Sequence, residues 1–143
     1  MSRVEAAIEL KLKKAKALMD EVDFQLRNGF YNTVINRLYY SCFHATKALL
    51  LTQDSVPKTH SWVSTLLHQK FVTTGMFNPS FASFFNKLMN ERIDDDYSDF
   101  MITEPEEIEP FILPGKEYLD YTISVVRNII NSDKSSDSIV GTK

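Results

Sequence analysis

The 143-residue sequence is 43% hydrophobic and 24% charged, with a formal net charge of -3, the proportions of one ordinary globular domain with its own core. A balance so near neutral gives no global pull toward nucleic acid or an anionic membrane, so any such binding must come from a local patch. Cys42 is the one cysteine, which excludes an intramolecular disulfide and, with no hydrophobic leader after Met1, points to a reducing cytoplasm; no stretch is long and apolar enough to span a bilayer.

From Arg3 to about Asn28, apolar residues at Ile8, Leu12, Ala15, Met19, Val22 and Leu26 step by four and three, which marks one face of a long amphipathic helix. Glu5, Glu9, Lys11, Lys13, Lys14 and Lys16 occupy its wet side. There the spacing of Glu9 and Lys13 supports a local ion pair, and the interleaved acids make the lysines a solvated face rather than a nucleic-acid patch. Asn28-Gly29 ends this helix as a left-handed cap would.

A second helix runs from about Phe30 to Leu51, with Tyr31, Val34, Ile35, Leu38, Cys42, Ala45 and Leu49 on one face. So short a connection makes the two helices antiparallel neighbours, the start of an up-and-down bundle. After a polar connection from Thr52 to Pro57, Thr59 or Ser61 can cap a shorter helix through Trp62, Leu66, Leu67 and Phe71, which stops near Thr74-Gly75. Asn78-Pro79-Ser80 opens a fourth, carrying Phe81, Phe84, Phe85, Leu88 and Met89 into Arg92-Ile93-Asp94-Asp95-Asp96-Tyr97. Thr103 and Glu106 form a capping-box pattern with Pro105 in the first turn, and apolar residues then continue to about Asn131, with Pro114-Gly115 expected to kink or divide the helix. The expected fold is all-α, a four- to five-helix up-and-down bundle over residues 1–131, with a flexible polar tail over 132–143.

Much chemistry is missing. The four glycines are isolated from one another, so no glycine-rich loop is available to wrap a phosphate. His44, His60 and His68 lack the i, i+4 pattern of a zinc helix, and Cys42 and His44 point to different faces, so neither a metal nor another cofactor is expected. No nucleophile signature supports a serine or cysteine hydrolase.

What remains is a stripe on the second helix. Residues seven apart return to nearly the same face, so Arg37 and His44 share a stripe with Tyr40 and Ser41 between them, roughly 10 Å from end to end. A guanidinium fork and an imidazole that titrates near neutrality suit phosphate chemistry. Spacing alone favours the plainer account, a packed boundary arginine and a histidine bonded to a nearby carbonyl.

The runs Arg37-Leu38-Tyr39-Tyr40-Ser41-Cys42-Phe43-His44-Ala45, Pro57-Lys58-Thr59-His60, Phe71-Val72-Thr73-Thr74-Gly75 and Arg92-Ile93-Asp94-Asp95-Asp96-Tyr97-Ser98-Asp99-Phe100 resemble those of small HEPN-domain proteins, a family named for nucleotide binding in higher eukaryotes and prokaryotes. The resemblance implies a bundle of four or five helices, often a homodimer. It also implies either a metal-independent ribonuclease, built on an Arg, four to six residues and a His, or a noncatalytic module that binds nucleotide or RNA. Many such proteins pair with a nucleotidyltransferase in a toxin-antitoxin system. Arg37 and His44 satisfy the bare spacing, but Leu38 follows the arginine where the motif usually has a polar residue, and the motif usually lies later in the bundle. At the later position four residues separate Arg92 from Tyr97, and tyrosine is a poor general base at neutral pH. The plainer account there is an Arg92 to Asp96 ion pair with Tyr97 half-buried.

Lys58, Thr59 and His60 sit at a helix start, where free amides and the dipole favour an anion, although a simple helix entry explains them as well. The expectation is a binding module that contacts nucleotide or RNA through Arg37, Tyr40, Ser41, His44, Lys58, His60, Arg92 and Tyr97. The alternative is a ribonuclease toxin in which Arg37 holds the phosphate and His44 moves protons.

Overall fold

A computed structural model describes residues 2–92 and 104–141, with side chains as far as 134. Its helices are α1 (Arg3–Arg27), α2 (Val34–Leu51), α3 (His60–Leu67), α4 (Pro79–Glu91) and α5 (Pro105–Gly141). A 3-10 turn (Tyr31–Thr33) leads into α2, and one π-helical turn (His68–Val72) extends α3. Among the described residues there is no strand.

Local chemistry sets most of the boundaries. Ser2 caps α1 by accepting from the Glu5 amide at 3.1 Å. At its other end Gly29 takes φ +75°, and the Phe30 amide reaches back to the Gln25 carbonyl at 2.9 Å, which is how a left-handed residue closes a helix. Thr59 caps α3 through the Trp62 amide, and Asn78 caps α4 through the Ser80 amide with Pro79 in the first turn. The proposed capping residue Thr103 lies outside the described residues; α5 starts at Pro105.

Ile8, Leu12, Ala15, Met19 and Val22 of α1 are buried, as their spacing requires. Helix α2 goes further, because thirteen of its residues are buried, among them Ser41, His44 and Thr46. It is the central helix of the bundle, covered on nearly every side rather than along one face. Ser41 donates to the Ala15 carbonyl at 2.7 Å and Arg37 pairs with Glu21 at 3.4 Å, so α1 and α2 run antiparallel. Cys42 meets Gly115, and Thr46 shares a hydroxyl hydrogen bond of 2.6 Å with Tyr118, so α5 runs parallel to α2. The rings of Tyr39, Phe85 and Tyr118 stack from α2 through α4 to α5. With Phe81 stacked on Tyr121, they set α4 against the direction of α5. The result is an up-down-up-down bundle of α1, α2, α4 and α5, with α3 inserted in the second connection.

Two local expectations give way to tertiary contacts. Glu9 does not pair with Lys13; it holds Arg127 of α5 in a two-pronged ion pair, because α5 lies along α1 and a bidentate guanidinium outcompetes a flexible ammonium. Pro114-Gly115 does not divide α5, which contains both Pro110 and Pro114 and continues to Gly141, past the Asn131 where the apolar periodicity ends. Lys116 on Asp23 at 2.6 Å, Arg127 on Glu9 and Lys134 on Glu5 at 3.8 Å bind it to α1 along its length. Gly115 has a packing reason, since a Cβ there would lie 2.6 Å from Cδ1 of Leu38, a fully buried residue. Gly115→Val should therefore lower the unfolding free energy by about 1–3 kcal/mol through overpacking, read as an earlier urea midpoint with an unchanged slope.

Candidate functional site

The side chains of α2 that are not buried, Asn36, Arg37, Tyr40, Lys47 and Leu51, lie along one edge, with His44 beside them at 9% exposure. This is the stripe expected from spacing, but the structure divides it among three neighbourhoods. Arg37 is exposed, engages Glu21, and lines a cavity of about 750 Å³ with Phe24, Gln25, Phe30 and Tyr31 at the α1–α2 turn. Two helical turns, roughly 10 Å, separate it from His44. Ser41 is wholly buried, and its hydroxyl serves the Ala15 carbonyl, which leaves it no role toward a ligand.

Tyr40 belongs to a ring cluster with Tyr39, Phe43 and His60. The His60 ring lies 4.5 Å from that of Phe43 and 5.9 Å from that of Tyr40. The loop from Thr52 to Thr59 brings His60 here, where the Tyr39 hydroxyl and His60 Nδ1 share a hydrogen bond of 2.6 Å. Burial pushes the Tyr39 phenol well above its ordinary range, so the phenol keeps its proton. Thus His60 packs on α2 instead of facing an anion at the start of α3. Lys58 stays exposed on the far side of that helix entry, beside Val56 and Trp62.

Two cations flank the rings. The Lys47 ammonium lies 5.3 Å from the centre of the Phe43 ring, and the Arg92 guanidinium lies 5.4 Å from the centre of Tyr39, both within cation-π range. Arg92 reaches this position from the end of α4. Its expected partners Asp96 and Tyr97 lie outside the described residues.

His44 occupies the groove between α1 and α2. Its Nδ1 is buried and has no hydrogen-bond partner among the described residues. Burial lowers its pKa to about 4, helped by the positive charges of Lys11, Lys14 and Lys47. Burial also lowers that of His60, helped by Arg92 and Lys47. Among the described residues, then, every charge that perturbs these two imidazoles is a cation, on a chain whose net charge is -3.

Sequence reasoning missed Lys11, Lys14 and Lys47. The signal was present in the i, i+3 pairs Lys11 with Lys14 and His44 with Lys47, which antiparallel packing brings together. Together these groups form a ring cluster with Tyr39 and Phe43 buried, Tyr40 and His60 partly exposed, and cations at its edges. No three of the described His, Cys, Asp and Glu residues are placed to hold a metal ion. No described helix is long and apolar enough to cross a membrane.

The comparisons agree with this architecture. The HEPN domain profile matches residues 8–135, and the chain belongs to the HEPN domain family. It is 27% identical over 129 residues to a protein of Thermotoga maritima named "UPF0332 protein", covering 90% of this chain and 98% of that one. Two proteins of Methanocaldococcus jannaschii are also similar. One, named "Putative toxin MJ0142", is 27% identical over 94% of this chain and 92% of its own length. The other, named "Putative toxin MJ0605", is 31% identical over 89% and 91%.

The state of His44 has a consequence for stability. The folded protein holds the ring neutral down to about pH 4, whereas the unfolded chain takes up that proton near the ordinary value of 6.5. Stability should therefore fall as pH drops from about 6.5 toward 4, with His44 accounting for at most about 3 kcal/mol of the decrease. Urea unfolding at pH 7 and pH 4.5 should show a smaller decrease between the two conditions in His44→Gln than in the parent protein.

Proposed function

We propose that this protein is a toxin-type HEPN module that binds nucleotide or RNA across the outer edge of α2. Tyr40 and His60 would contact a base, while Lys47 and Arg92 would neutralise phosphate. The observation that supports this reading is the pair of cations at the two ends of the Tyr39, Tyr40, Phe43 and His60 ring cluster. Aromatic stacking is worth about 1–3 kcal/mol per base, and charge-assisted phosphate contacts add affinity that weakens as salt rises. The names of the Methanocaldococcus relatives support the toxin type. Self-association and pairing with a nucleotidyltransferase belong to the same proposal, and expression with the neighbouring gene product, followed by gel filtration, tests both.

Fluorescence anisotropy with a labelled single-stranded oligoribonucleotide, and with a labelled nucleotide, tests binding. Lys47→Glu and Arg92→Glu should each weaken it by about tenfold or more, since reversing a phosphate-contacting charge costs more than deleting it. Equal affinity in all three proteins at low salt would sink the proposal.

The ribonuclease reading draws less from the geometry. Arg37 is engaged with Glu21 and faces a separate cavity, and the desolvated His44 is too weakly basic to be a ready proton acceptor at neutral pH. Purified protein should leave varied RNAs intact without added metal, and His44→Ala should not relieve any growth defect that expression causes. Cleavage by the parent that disappears in His44→Ala would reverse this preference.

A further inference from the structure

The register of α1 against α2 follows from two contacts, Ser41 on Ala15 and Arg37 on Glu21. Each step toward the C-terminal end of α2 matches a step back along α1. His44 therefore falls beside residues 12–14, and Lys47 beside residues 9–11. Lys11 and Lys14 are brought to the imidazole from one helix while Lys47 approaches from its own.

Among the described residues, no carboxylate pairs with this cluster. On α1, Glu5 pairs with Lys134, Glu9 with Arg127, Glu21 with Arg37 and Asp23 with Lys116. Lys11, Lys14 and Lys47 make no ion pair among the described residues, and Lys11 is held partly out of water, with its pKa lowered by burial and by the other two lysines. All three act on His44, which is more than nine-tenths buried and whose Nδ1 has no hydrogen-bond partner among the described residues. A buried polar atom without a partner is costly to leave, and three ammonium groups gathered around it repel one another. An anion that accepts from Nδ1–H while lying among the ammoniums relieves both costs.

We infer that the α1–α2 groove at His44 is a phosphate-binding subsite, in which His44 Nδ1–H and the ammonium groups of Lys11, Lys14 and Lys47 donate to one phosphate group. The inference rests on the reading of α2 as a nucleotide- or RNA-binding edge. It adds a second anion position across Phe43 from Arg92, with Lys47 between the two. His44 here is a neutral hydrogen-bond donor, not a proton carrier. The phosphate can be a phosphodiester of RNA or free phosphate, and the two sources are distinguishable.

The test uses the full chain, with side-chain imidazole NMR of His44 as one readout and anisotropy of a labelled single-stranded oligoribonucleotide as the other. Inorganic phosphate and the oligoribonucleotide are titrated separately. The variants are Lys11→Glu with Lys14→Glu, the milder Lys11→Gln with Lys14→Gln should the first fail to fold, and Arg92→Glu.

If the subsite takes an RNA phosphate, the oligoribonucleotide shifts the His44 resonances. The α1 double variant then abolishes that shift, weakens binding at least tenfold, and flattens the salt slope by about 0.7 for each phosphate it no longer neutralises. If it takes free phosphate, inorganic phosphate shifts His44 in the parent and not in the double variant, even where the oligoribonucleotide does not bind, so the subsite stands and the reading of the α2 edge falls. If Arg92→Glu weakens oligoribonucleotide binding while the α1 double variant matches the parent in affinity and salt slope, the subsite is overturned and the reading of the α2 edge stands. If neither probe moves His44 or binds at all, both fall.

Discussion

The hydrogen bond from Ser41 to the Ala15 carbonyl is the interaction on which the rest of this bundle depends. Both partners are fully buried, so sliding α2 along α1 would leave a hydroxyl unbonded in the core, at a cost of about 1–3 kcal/mol. Fixed there, the two helices have one register. At one end Arg37 meets Glu21, and at the other His44 is enclosed with Lys11 and Lys14 beside it. The opposite side of α2 is then free to receive α5, where Gly115 allows the backbone to approach Leu38 closely and Thr46 finds the Tyr118 hydroxyl.

The fold was legible where periodicity and caps act over a few residues. The α1 stripe, the Asn28-Gly29 stop and the Asn78 cap are all local, and each is found where the residues indicate. Helix α2 was less legible because it is central. Its periodicity marks the apolar face from Val34 to Leu49, whereas Ser41, His44 and Thr46 are buried by partners on other helices, and no local pattern announces those partners. Pro114-Gly115 misleads for the same reason: read locally it divides a helix, while in the bundle contacts to α1 and α2 accompany a helix that continues through it.

The site divides along the same line. Tyr40, His44, His60 and Arg92 stand out in the sequence as chemistry-bearing residues, and the fold brings all four to one edge of α2. Arg37 stands out equally and is drawn to a different cavity by Glu21, an acid sixteen positions earlier that only the hairpin brings near. Lys11 and Lys14 are hidden in the sequence by the acids interleaved with them. Their positive field emerges only after α5 has engaged those acids, which is tertiary information.

The wheel of α1 explains how an acidic chain builds a positive face. At about 100° per residue, Ile8, Leu12, Ala15, Met19 and Val22 form one buried stripe. Glu5, Glu9 and Asp23 fall together on one flank of it, and Lys11 and Lys14 fall on the other. The acidic flank faces α5, which answers with Lys134, Arg127 and Lys116. The basic flank faces the outer edge of α2, which answers with Lys47 and with a histidine held neutral, and so adds no carboxylate of its own. Opposite charges are thereby matched along the α5 seam and, through Arg37 and Glu21, at one end of the α2 seam, while Lys11, Lys14 and Lys47 gather at its other end. Since surface ion pairs contribute little to stability individually, the main effect of this sorting is on the field: charges are paired where α1 meets α5 and, among the described residues, left unpaired beside His44. A chain with the same composition but Glu9 moved to the other flank of α1 would keep its net charge and its core, and would lose the positive groove.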